Sequence, residues 1–85
     1  MTGQEVLSEY AAVAELTGQM LAAAEAGDWD HLVVLEQACT AHVDVLKRAE
    51  AAVELTPTSR QAKIDCLRRI LADDRKIRDL TSPWI

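Results

Sequence analysis

An antiparallel three-helix bundle of the all-α class is the fold expected of these 85 residues. Three features carry that expectation. Apolar side chains recur at steps of three and four over three successive runs, and the runs are parted by Gly27-Asp28 and by Leu55-Thr56-Pro57. Two Trp, one Tyr and no Phe among abundant Ala and Leu favour thin helix interfaces over a β-sandwich. The runs place helices at about residues 4–26, 29–53 and 59–81, within one domain spanning residues 1–85. A domain this small draws only roughly 3–5 kcal/mol of net stability from its core, so a bound partner or self-association fits its size.

In the first helix Val6, Leu7, Tyr10, Val13, Ala14, Thr17, Leu21 and Ala24 share one arc, with the glutamates mainly off it. Gly18 costs about 1 kcal/mol against alanine in a helix interior, and beside Thr17 it permits another helix to approach closely. Gly27 then ends this helix and Asp28 caps the next. The second helix opens on Trp29 and carries Leu32, Leu35, Cys39, Val43 and Leu46 as one stripe, onto which the first and third helices are expected to fold. A neighbouring strip of Val34, Ala38, Ala41, Val45 and Ala52 exceeds what a three-helix bundle needs to bury. In the third helix, Thr58 with Gln61 three residues later reads as a capping box. Two seams follow: Ile64, Leu67 and Leu71 on one face, and Ala62, Cys66, Ile70, Ile77 and Leu80 on the adjacent one. Either each neighbouring helix takes one seam, or one seam is left for a partner. The closing Ser82-Pro83-Trp84-Ile85 puts two large apolar residues after a helix-breaking proline, to dock on the bundle or on a partner.

Charge and composition exclude several classes of function. Residues 1–36 carry seven acids and no base, whereas residues 37–85 carry seven acids and nine bases. That asymmetry fits attraction between the two halves better than a nucleic-acid footprint, which needs clustered net positive charge. No apolar run approaches the roughly 18 residues of a membrane span, and the first residues lack a secretion signal, so the chain is expected in the cytoplasm. Cys39 and Cys66 lack metal-ligand or redox spacing and sit at apolar positions, where a buried thiol is the ordinary outcome. His31 and His42, eleven residues apart, are separated by about 16 Å of helical rise and cannot ligate one ion. No metal, cofactor or catalytic group is expected. Small helical chorismate mutases share this length, but their dianionic substrate demands convergent cations including one from the first helix, which has none here. The Trp-x-Gly turn of short secreted helical hairpins is also absent, because glycine precedes tryptophan in Gly27-Asp28-Trp29.

Two stretches carry a family resemblance. Trp29-Asp30-x-Leu32-x-x-x-Glu36 followed by Val43 opens the second helix, and Arg69-Ile70-Leu71-Ala72-Asp73-Asp74-Arg75-Lys76-Ile77-Arg78-Asp79-Leu80 fills the third. Together they resemble the FliT family of flagellar type III export chaperones, over about residues 4–81. The resemblance implies a cytoplasmic helical bundle that binds a C-terminal helical segment of the filament-cap protein before export. It also implies contacts with components of the export ATPase complex and, in some bacteria, with the flagellar master regulator. The family commonly adds a fourth, regulatory helix, expected to be either absent or truncated in a chain that ends at Ile85. Surplus apolar strips without a catalytic constellation suit such a chaperone, and the residues expected to meet the partner are Val34, Ala41, Val45, Cys66, Ile70 and Ile77. The competing reading is a structural module whose surplus surface forms a homodimer.

Overall fold

A computed structural model describes residues 2–81; the expected role of Trp84 and Ile85 lies outside the described residues. Helix α1 runs from Gly3 to Glu25, α2 from Trp29 to Glu50 and α3 from Pro57 to Thr81, and among the described residues there is no strand. Each boundary has a local cause. The Thr2 hydroxyl accepts from the Glu5 N–H at 3.2 Å while the Glu5 carboxylate accepts from the Thr2 N–H at 3.3 Å, a reciprocal cap over the first turn of α1. This Thr-x-x-Glu signal stands in the sequence ahead of the expected start.

The first turn between helices behaves as expected. Gly27 adopts φ 71°, the left-handed conformation that a Cβ disfavours, which lets the Gly27 N–H reach Ala24 O (3.1 Å) and the Asp28 N–H reach Ala23 O (2.9 Å). Asp28 then turns its carboxylate to the His31 N–H at 3.3 Å and caps α2. One residue closes a helix with its backbone and opens the next with its side chain.

The second turn departs from expectation at both ends. Helix α2 stops at Glu50 rather than near residue 53, because the chain bends there to lay Val53 and Leu55 against the core and over Gly3 at the start of α1. Helix α3 starts at Pro57 rather than Ser59, and its cap is Thr56, not Thr58: the Thr56 hydroxyl accepts from the Ser59 N–H at 3.1 Å. Proline is well suited to the first helical position, where its missing N–H has no intrahelical acceptor to lose.

The bundle is organised around α1 rather than α2, which corrects the expectation that both flanking helices fold onto the Leu35/Cys39/Leu46 stripe. Helices α2 and α3 each pack along α1, and among the described residues no Cα of α2 comes within 8 Å of a Cα of α3. The burial pattern agrees: Val6, Tyr10, Val13, Ala14, Thr17, Ala23 and Ala24 are buried on α1, but only Leu35 and Leu46 on α2 and Ile77 on α3. Small side chains explain why α1 can serve two neighbours. A Cβ on Gly18 would lie 3.2 Å from the Arg69 guanidinium, and the buried Thr17 hydroxyl next to it donates to the Asp73 carboxylate at 2.9 Å. Glu15 pairs with Arg69 at 3.5 Å, so the acidic first helix does draw on the basic third.

Candidate functional site

Splaying α2 and α3 apart over α1 leaves a groove of about 220 Å³ along their shared side. Tyr10 and Val13 of α1 form its floor, Val43, Leu46 and Lys47 the α2 wall, and Leu67 and Ile70 the α3 wall. One end is tied by a group drawn from all three helices. The Tyr10 hydroxyl donates to Glu50 at 2.8 Å, Lys63 forms an ion pair with Glu50, and the Lys63 ammonium stands 5.5 Å from the centre of the Tyr10 ring. The hydrogen bond from Lys63 holds Glu50 below the usual carboxylate range, and the reciprocal bond raises Lys63. Burial first, and the hydrogen bond to Glu50 second, push the Tyr10 phenol up.

The flanks of the groove carry most of the exposed apolar surface. On α2, Trp29, Val33, Glu36, Thr40, Val43 and Lys47 succeed one another at steps of four and three, so Trp29 and Val33 continue the wall that Val43 and Lys47 define. On α3 the same logic joins Arg60, Ile64, Leu67, Leu71, Arg75 and Arg78. Exposures of 48% at Trp29, 51% at Val33, 41% at Ile64 and 65% at Leu71 account for four of the six large apolar residues left exposed among the described ones. A patch of this kind marks an interaction surface.

The six residues expected at a partner surface divide between two regions. Val34 and Ala41 are exposed and Val45 half-buried, all on the flank of α2 turned away from α3. There Val45 borders a separate shallow hollow with Arg48, Ala49 and Ala52. Cys66 and Ile70 are half-buried against the core, and Ile70 alone of the six lines the groove. Ile77, expected at the surface, is 8% exposed: the Cys66/Ile70/Ile77 seam is the one α3 lays on α1. The seam left outside is Ile64/Leu71, and the sequence signal that could have found it is the bracketing by Arg60, Arg75 and Arg78, since a face interleaved with arginines is a wet one.

Among the described residues no three His, Cys, Asp or Glu side chains converge as a metal site. Cys39 and Cys66 are free, half-buried thiols, and burial raises Cys39 above its ordinary value, away from the nucleophilic thiolate. His42 meets Glu9 at 2.5 Å across the α1–α2 interface, and His31 stays beside its own cap, Asp28. Among the described residues no helix is long and apolar enough to cross a membrane.

The model of a family described as flagellar protein FliT matches residues 7–85. The chain is 40% identical to flagellar protein FliT from Bordetella bronchiseptica, whose crystal structure superposes with a TM-score of 0.86 over 92% of this chain and 88% of that one. No curated protein matches the chain.

Proposed function

The chain belongs to the FliT family of flagellar export chaperones, which is not a class of enzymes, and on that premise we propose that its α2–α3 groove holds a C-terminal helical segment of the filament-cap protein before export. The observation that carries this reading is the open groove itself. Its floor and walls are apolar, and Trp29, Val33, Ile64 and Leu71 stand exposed along its margins, where a fourth helix would cover them. An amphipathic helix laid into such a groove buries its apolar stripe, a gain of about 25 cal/mol per Å² against which the cost of association is set. A chaperone of this kind acts in the cytoplasm, where its client is made, and components of the export ATPase complex and the flagellar master regulator are further partners on the same family reading.

Titration calorimetry with the cap protein's C-terminal segment tests the proposal. The wild-type chain binds it, and the Ile64→Asp/Leu71→Asp variant keeps its helical circular dichroism while losing at least about tenfold in affinity, as expected for charges placed in an apolar contact. A variant that binds as well as wild type would remove the groove from the site, and a wild-type chain that binds no cap segment would remove the client.

A further inference from the structure

Charge distributes unevenly around the groove, in a way the client reading does not use. The chain as a whole carries a formal charge of −5, yet residues 57–81 of α3 hold seven bases against four acids. Where those bases stand is informative. Lys63 is engaged by Glu50 and Arg69 by Glu15, both turned towards the other helices. Arg60, Arg75 and Arg78 share the outward seam with Ile64 and Leu71, and Arg68 lies one turn from each of those two. All four arginines are exposed, and among the described residues Arg60, Arg68 and Arg75 make no ion pair. Of the acids on this side of α3, Asp74 is occupied by Arg78 at 3.0 Å, Asp65 accepts from the Gln61 amide at 3.1 Å one turn from Arg68, and Asp79 stands one turn from Arg75, so the three free arginines leave the face net positive. The opposite rim is mixed, with Glu36 towards one end and Lys47 towards the other.

We infer that the helix received in this groove carries a row of acidic residues on the flank that meets α3. This rests on the reading that the groove receives a helix at all, and it adds the chemistry by which the helix is chosen and its direction fixed. An apolar stripe seated on Leu67, Ile64 and Leu71 brings a Glu or Asp row beside it within reach of Arg60, Arg68 and Arg75. Arginine suits that role because its planar guanidinium accepts a carboxylate bidentately. A basic helix of equal hydrophobicity meets like charge along the same wall. Complementarity of this kind sets orientation and partner choice more than raw affinity.

Two synthetic amphipathic peptides with the same apolar stripe, one bearing glutamates and the other lysines on one flank, test the inference by fluorescence anisotropy alongside the cap segment. The net charge of −5 taken alone favours the lysine peptide, so a preference for glutamate can arise only from local charge. The expected result is roughly tenfold tighter binding of the glutamate peptide near 50 mM salt, a gap that narrows towards about 500 mM. It reverses in Arg60→Glu/Arg75→Glu, whose exposed substitutions leave the fold intact by circular dichroism. Equal or tighter binding of the lysine peptide overturns the inference, as does binding of neither peptide or a preference that survives the double substitution. If the cap segment binds without any glutamate preference, the charge inference alone fails. If the glutamate preference holds and the cap segment does not bind, the proposed client fails instead.

Discussion

Single residues set the turns, and their costs differ in ways that can be measured. At Gly27 the backbone has φ 71°, so Gly27→Ala forces a Cβ into the left-handed region and is predicted to destabilise the fold by about 1–2 kcal/mol in urea unfolding. Gly18 looks equally special in the sequence but is not. Its Cβ would lie 3.2 Å from the far end of the Arg69 side chain, which can swing aside, and at an ordinary 4.0 Å from the Asp73 carboxylate, so Gly18→Ala is predicted to be neutral or to stabilise by up to about 1 kcal/mol through helix propensity. The Glu50–Lys63 pair gives a pH signature. Glu50 titrates lower in the fold than its ordinary value of about 4.3, so its contribution is present above that value and fades as pH falls through the depressed one. Lys63 titrates higher than its ordinary value of about 10.4, so its contribution is present below that value and fades as pH rises through the raised one. Unfolding of Lys63→Met against wild type should show a difference of about 1 kcal/mol or less, flat between those limits and shrinking beyond each, as fits a partly exposed pair.

At the scale of the element, α3 is read from its two seams. Its helical period, its length and the existence of both stripes are plain in the spacing of Ile64, Leu67, Leu71 and Cys66, Ile70, Ile77. Which seam faces inward is not, because hydrophobicity alone ranks them nearly equally. The choice falls to the partner surface on α1, where the buried Thr17 hydroxyl donates to Asp73 and draws in the Cys66/Ile70/Ile77 side. Two substitutions on one helix should therefore behave oppositely. Ile77→Asp buries a charge at an 8% exposed position and is predicted to cost at least about 3 kcal/mol, unfolding much of the protein. Leu71→Asp, at 65% exposure, is predicted to leave thermal stability within about 0.5 kcal/mol while weakening client binding severalfold. The cap of α3 shows the same limit of local reading: Thr56 and Thr58 both flank Pro57, and only the preference of proline for the first helical position decides between them.

For the whole molecule, the central fact is that α1 carries two neighbours that do not close on each other. The sequence makes three helices and their order legible through Gly27-Asp28 and Thr56-Pro57, but it draws attention to α2, whose apolar arc is wider than a three-helix bundle requires. The hub is instead α1, chosen by the small buried Ala14, Thr17, Ala23 and Ala24 that let two helices approach from different sides. A three-helix arrangement in which α2 and α3 each pack on α1 leaves an apolar groove between them, the one proposed to receive the client helix. The groove was only half legible: Ile70 could be named, whereas Trp29, Val33, Ile64 and Leu71 required knowing which way α2 and α3 are turned. The most direct check is a methyl-resolved NMR titration of the wild-type chain with the cap protein's C-terminal segment. The account predicts shifts concentrated at Val33, Val43, Ile64, Leu67 and Leu71, with Val34 and Val45 on the outer flank of α2 unmoved. Shifts confined to Val34 and Val45, with the groove methyls silent, would contradict it.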